Sequence, residues 1–182
     1  MNIPNILTVI RLLLIPVFIS IFFSSMDNNI LYATYVFALA GITDVLDGYI
    51  ARKYNLVTKW GTVLDPLADK LMQITVLICF TIAKYLSVWV IVVIGIKELL
   101  MITGGLFLFY GKDKTVIPAN KFGKIATISF YIAILAFAFE LNHIVSYSLI
   151  IITIVLTLSA FVNYLIGFKN VSMGNNNKCV DK

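Results

Sequence analysis

Apolar positions along the chain gather into runs near the length needed to cross a bilayer, at about residues 6–24, 30–50, 62–83, 88–110, 125–139 and 144–168. Six such runs predict an all-α integral membrane fold of six transmembrane helices, the first with a short amphipathic start. That first run begins near Met1 and contains Arg11. It lacks a small-residue cleavage site, and its basic residue lies inside the apolar stretch rather than before it, so it reads as a retained helix and not a secretory signal. Residues 1–170 are expected to form one membrane domain, and residues 171–182, which contain "GNNNKCVDK", a disordered polar tail.

Composition supports the same class. Of 182 residues, 60% are hydrophobic and only 13% charged, where a soluble domain carries about a quarter charged. Basic residues then orient the spans. Arg52, Lys53 and Lys59 lie between the second and third runs, Lys112, Lys114, Lys121 and Lys124 between the fourth and fifth, and Lys169, Lys178 and Lys182 after the sixth. The opposite loops hold Asp27, Glu140, His143 and one lysine, Lys84. The positive-inside rule therefore predicts a multi-pass cell-membrane protein with both termini cytoplasmic. The net charge of +5 belongs to loops beside anionic headgroups and does not indicate nucleic acid. Cys79 and Cys179 imply no disulfide framework.

The pattern is broken by "GITDVLDGYIARKYNLVTKWGTVLDPLADKLM", which places four aspartates in a largely apolar chain. Carboxylates at membrane depth are costly and mark function. Asp44 and Asp47 are three apart near the end of the second run, Asp65 and Asp69 four apart at the start of the third, so each pair faces one side of its helix. With a short loop between them, the two helices are expected to be antiparallel neighbours whose acidic faces meet. Converging carboxylates need a cation. Hard oxygen donors without a nearby His or Cys favour Mg2+ or Mn2+, and several aspartates suffice for two ions, the arrangement suited to phosphoryl chemistry. Gly48 would let a ligand approach the backbone, and Arg52 offers a fork for phosphate. An ion or proton pathway is the alternative for such acids, but they cluster at one membrane face with no second acidic layer across the bilayer.

The spacing Asp44-x2-Asp47-Gly48-x2-Ala51-Arg52-x8-Gly61-x3-Asp65-x3-Asp69 resembles the motif of the CDP-alcohol phosphatidyltransferases, integral membrane enzymes of phospholipid synthesis. "IPNILTVIRLLLIPVF" and "LVTKWGTVLDPLADKLM" extend the likeness to the branch that uses glycerol-type acceptors. The resemblance implies that Asp44, Asp47, Asp65 and Asp69 hold divalent ions, with Asp69 also the general base. It implies that Asn5, Thr8, Gly48, Ala51, Arg52, Thr58 and Gly61 border the CDP portion of CDP-diacylglycerol, and that the protein is a homodimer. The reaction so implied transfers the phosphatidyl group to an acceptor hydroxyl and releases CMP at the cytoplasmic face.

The acceptor region departs from the pattern. Where enzymes acting on glycerol 3-phosphate typically carry Arg-Glu and a second arginine, this chain has Lys97-Glu98 and then Thr103, Gly104 and Gly105. Lys121 and Lys124 are in place to supply the missing charge, so Lys97, Lys121 and Lys124 are the expected acceptor contacts. Glycerol 3-phosphate is the expected acceptor. Phosphatidylglycerol stays open, because the two glycines would suit a bulky lipid.

Overall fold

The computed structural model describes residues 3–54, 61–111 and 121–172. They form six helices in chain order, α1 (Ile3–Phe22), α2 (Asn29–Lys53), α3 (Gly61–Ile82), α4 (Val88–Gly111), α5 (Lys121–Ala138) and α6 (His143–Ser172), with no strand among the described residues. The all-helical expectation and the number of helices are met. The ends differ: α1, α2, α5 and α6 each take in polar residues beyond their apolar run, such as Lys121 and Lys124 in the first turns of α5, while α1 and α5 finish shortly before their runs do. Backbone hydrogen bonding does not stop where hydropathy falls, and polar residues outside the hydrocarbon cost a helix little. Among the described residues two stretches, Asn29–Ala51 and His143–Phe168, are long and apolar enough to cross a membrane.

The turns after α1, α3 and α5 each contain a non-glycine residue with positive φ, Asn28 at 59°, Lys84 at 63° and Glu140 at 51°. At Lys84 the geometry is a Schellman cap, in which Lys84 N–H donates to the Thr81 carbonyl at 3.0 Å and Tyr85 N–H to the Phe80 carbonyl at 2.9 Å. These bonds satisfy carbonyls that the end of α3 would otherwise leave open. After α1 the work is shared by a side chain: Asn29 Nδ2 donates to the Phe22 carbonyl at 2.7 Å and the Ser24 carbonyl at 3.0 Å.

The chain divides into two compact units, Met1–Ile91 with Phe137–Glu140, and Val92–Ala136 with Leu141–Lys182. In the first, α1 lies against both α2 and α3. The inward face of α1 reads Thr8, Arg11, Phe18, Phe22, a helical spacing that is polar at its start and aromatic at its end. On α2 the same change runs the other way, from Ala33, Phe37 and Ala40 to Asp47, and on α3 from Asp65 to Met72, Val76 and Phe80. All three polar stretches therefore sit at one end of the unit, where α1 and α3 begin and α2 finishes. The other end is closed by aromatic rings, with Phe22 5.2 Å and Tyr85 5.9 Å from Phe80 between ring centres.

In the second unit Ala126, Phe130, Ala133 and Ile134 of α5 are buried, as are Ile150, Thr153, Ile154 and Thr157 of α6. The Ser129 and Thr153 hydroxyls are 2.7 Å apart across these two helices, and Tyr164 Oη donates to the Met101 carbonyl of α4 at 3.3 Å. Outward positions in both units are large and apolar, among them Leu13, Val45, Leu99, Ile144 and Val155. Apolar cover on this scale matches a hydrocarbon surround rather than water.

Candidate active site

The polar end of the first unit is organised around Arg11. Its side chain is 1% exposed, and a guanidinium so deep in a helical unit needs carboxylates to hold its charge. Nη2 donates to Asp47 Oδ2 at 2.5 Å, and Nη1 is ion-paired with Asp44 Oδ1 at 3.1 Å. Nη1 also donates to the backbone carbonyl of Asp65 at 3.3 Å. Thr8, one turn before Arg11 on the same face of α1, donates its hydroxyl proton to Asp65 Oδ1. One helix thus contacts all three of these acids, Asp44 and Asp47 from α2 and Asp65 from α3.

The acids differ in access. Asp47 has a side chain only 3% exposed, while that of Asp44 is 40% exposed, so the cluster opens to its surroundings on the Asp44 side. Three carboxylates against one guanidinium leave the group formally negative. Arg11 Nε is buried and has no hydrogen-bond partner among the described residues.

Asp69 lies one turn beyond Asp65 on α3 and has its own support. Gln73 Nε2 donates to Asp69 Oδ2 at 3.2 Å, and Lys70 Nζ donates to Gln73 Oε1 at 3.1 Å. The amide therefore links a lysine to a carboxylate, accepting from one and donating to the other.

The sequence expectation that the α2 and α3 acids converge is met for Asp44, Asp47 and Asp65, with a difference in how. Spacing predicts two acidic faces that can meet with positive charge among them; in the structure the α1 side chains Thr8 and Arg11 stand among them. Thr8, expected beside the nucleotide, is found on Asp65. Gly48 and Ala51 lie on α2 and are partly buried. Asn5, Arg52 and Gly61 lie on α1, α2 and α3, with side chains outside the described set, and Thr58 lies outside the described residues. Lys97, Lys121 and Lys124 belong to the second unit. There Lys97 Nζ and Glu98 Oε1 form a buried ion pair at 2.6 Å, and Lys124 is exposed.

Arg11 and Gln73 are site residues that the sequence reading did not single out. The signal for Arg11 was present, since an arginine inside an apolar run calls for a carboxylate on a neighbouring helix. Gln73 offered a weaker one, a polar side chain one turn after Asp69 on an otherwise apolar stretch.

As a donor set, Asp44, Asp47, Asp65 and Asp69 fit a hard divalent ion: all are carboxylates, with no thiol or imidazole beside them. Among the described residues no three acids are close enough to share one ion. Arg11 and Thr8 engage one oxygen each of Asp44, Asp47 and Asp65.

The acidic cluster is built by the first three helices of a chain whose described residues are all helical or in turns and whose surface is largely apolar, and comparison with known proteins gives its class. The chain belongs to the CDP-alcohol phosphatidyltransferase family, whose family model matches residues 1–160. Among curated relatives it is similar to the CDP-diacylglycerol–glycerol-3-phosphate 3-phosphatidyltransferase of Rickettsia typhi, at 35% identity over 92% of this chain and 93% of that protein. Proteins of the same name from Haemophilus influenzae and Bacillus subtilis are 30% and 37% identical. The first alignment covers 90% of this chain and 91% of its relative, the second 74% and 75%.

Proposed function

We propose that the protein transfers the phosphatidyl group of CDP-diacylglycerol to glycerol 3-phosphate, forming phosphatidylglycerophosphate and CMP. The observation that carries this reading is the gathering of Asp44, Asp47 and Asp65 at one end of α1–α3, with Asp69 one turn further along α3. The names of relatives matched over most of their length support glycerol 3-phosphate as the acceptor in preference to phosphatidylglycerol.

In this reading Asp69 is the general base. Its carboxylate, oriented by Gln73, takes the proton of the acceptor hydroxyl. The hydroxyl oxygen then forms a bond to the phosphorus that bears diacylglycerol, and the bond from that phosphorus to the CMP oxygen breaks. Asn5, Thr8, Gly48, Ala51, Arg52, Thr58 and Gly61 border the cytidine diphosphate portion, and Lys97, Lys121 and Lys124 supply positive charge for the acceptor phosphate. Mg2+ or Mn2+, two ions per site, would be held by Asp44, Asp47, Asp65 and Asp69. Bound there, the ions would neutralise charge on the diphosphate.

The same reading places the protein in the cell membrane with six spans, both termini and the site at the cytoplasmic face. The two long apolar helices and the loop charges support it. A homodimer is proposed on the family resemblance.

The test is CMP release by purified protein in detergent with CDP-diacylglycerol and magnesium, offering glycerol 3-phosphate and phosphatidylglycerol separately. Release with the first alone is expected. Release with phosphatidylglycerol alone would reassign the acceptor, and release with neither would overturn the reaction.

A further inference from the structure

The acidic residues of the site do not fix their own orientation. Asp44 and Asp47 belong to α2 and Asp65 to α3, yet the groups that engage them come from one face of α1: Arg11 on Asp44 Oδ1 and Asp47 Oδ2, Thr8 on Asp65 Oδ1. Each of these contacts takes one oxygen of its carboxylate. Arg11 also donates to the Asp65 carbonyl, which ties the backbone of α3 to the same guanidinium that holds the α2 pair. The contacts are buried where they matter, with Arg11 1% and Thr8 2% exposed. A charge with no other outlet cannot serve there as a solvated surface group.

We propose that Arg11 and Thr8 are positioning residues that aim the three carboxylates of the site, acting as a shell behind the groups that would bind divalent cations. The inference rests on the reading that these acids hold such ions. Its physical basis is general: hydrogen-bond donors behind ligating carboxylates fix their rotamers, and losing one costs about 10- to 100-fold in metal affinity. Arginine suits the role because its planar fork reaches two carboxylates and a carbonyl at once, which an ammonium cannot do with fixed geometry. Removing its positive charge alone would make the cluster more negative and draw cations in. Positioning and simple charge competition therefore predict opposite signs.

The probe is Mn2+ alone, titrated into purified full-length protein in detergent, with free Mn2+ read by electron paramagnetic resonance. Arg11→Gln and Thr8→Val are each expected to raise the Mn2+ dissociation constant about 10- to 100-fold. Arg11→Lys, which keeps the charge and loses the fork, is expected to fall between Arg11→Gln and the unmodified chain. Phe18→Leu loosens the packing of α1 without touching an acid and should stay within about twofold, as independent sites do. Unchanged or tighter Mn2+ binding in Arg11→Gln and Thr8→Val would overturn the positioning role while leaving the metal reading intact. No Mn2+ binding by the unmodified chain would overturn both. Should Arg11→Gln fail to fold by circular dichroism, Thr8→Val, nearly isosteric and uncharged, decides the matter.

Discussion

Gln73 donates to the carboxylate of Asp69 one helical turn before it, at 3.2 Å, while accepting from Lys70 at 3.1 Å. Both residues lie on α3, so one contact that orients the expected base comes from its own helix. Replacing Gln73 by leucine keeps the volume and removes the donor. The expected result is a fall in kcat of about tenfold or more, with the KM for glycerol 3-phosphate nearly unchanged, because misorientation acts on the chemical step. Steady-state CMP release over a range of acceptor concentrations measures both.

Asp69→Asn removes the basic oxygen and keeps the shape. A general base contributes about 100- to 10,000-fold, and kcat should fall by that much. Binding of CDP-diacylglycerol by the variant, followed by its protection against heat, should persist. Full activity in Asp69→Asn would exclude this carboxylate as the base.

Chelation provides a separate check on the donor set. Treatment with EDTA should abolish CMP release, and added Mg2+ or Mn2+ should restore it; Ca2+, which accepts a looser and larger oxygen shell, should restore it poorly. Activity that survives chelation would remove divalent ions from the reaction.

Lys124 is exposed on α5. If it meets the acceptor phosphate, Lys124→Ala should raise the KM for glycerol 3-phosphate about fivefold or more while leaving the KM for CDP-diacylglycerol within about twofold, the size expected for a lost charge-assisted contact. An unchanged KM would move the role to another cation.

Lys84 holds φ at 63° to close the Schellman cap of α3. The left-handed conformation costs a residue with a Cβ about 1 kcal/mol, which glycine avoids. Lys84→Gly should therefore raise the thermal midpoint in detergent by a few degrees without altering kinetics. A lower midpoint would mean that the lysine side chain supports the turn by contacts of its own.

Much of this was legible in the sequence. The apolar runs locate six helices, and the three- and four-residue spacings of Asp44, Asp47, Asp65 and Asp69 place each pair on one helical face. What spacing cannot supply is the identity of the helix that packs against those faces. Periodicity reports which way a residue points along its own axis and is silent on its neighbour across the interface. Hence spacing predicts that the acids of α2 and α3 converge with a cation among them but does not show that Arg11 of α1 stands there. The helix ends were missed for a related reason: at Lys121 and Lys124 the hydropathy drops while the hydrogen-bonded turns continue.

The chain is made from its N-terminus, and α1 carries its arginine long before the partners exist. Asp47 follows Arg11 by 36 residues and the Asp65 carbonyl by 54. An arginine at the centre of a lone helix costs about 2.5–3.5 kcal/mol on insertion. On the proposed six-span reading, α1 would have reason to stay at the membrane interface until the carboxylates of α2 arrive to neutralise its arginine and α3 adds a carbonyl. On that reading, the group that ion-pairs the finished acidic cluster would also make the order of helix insertion part of how the site is assembled.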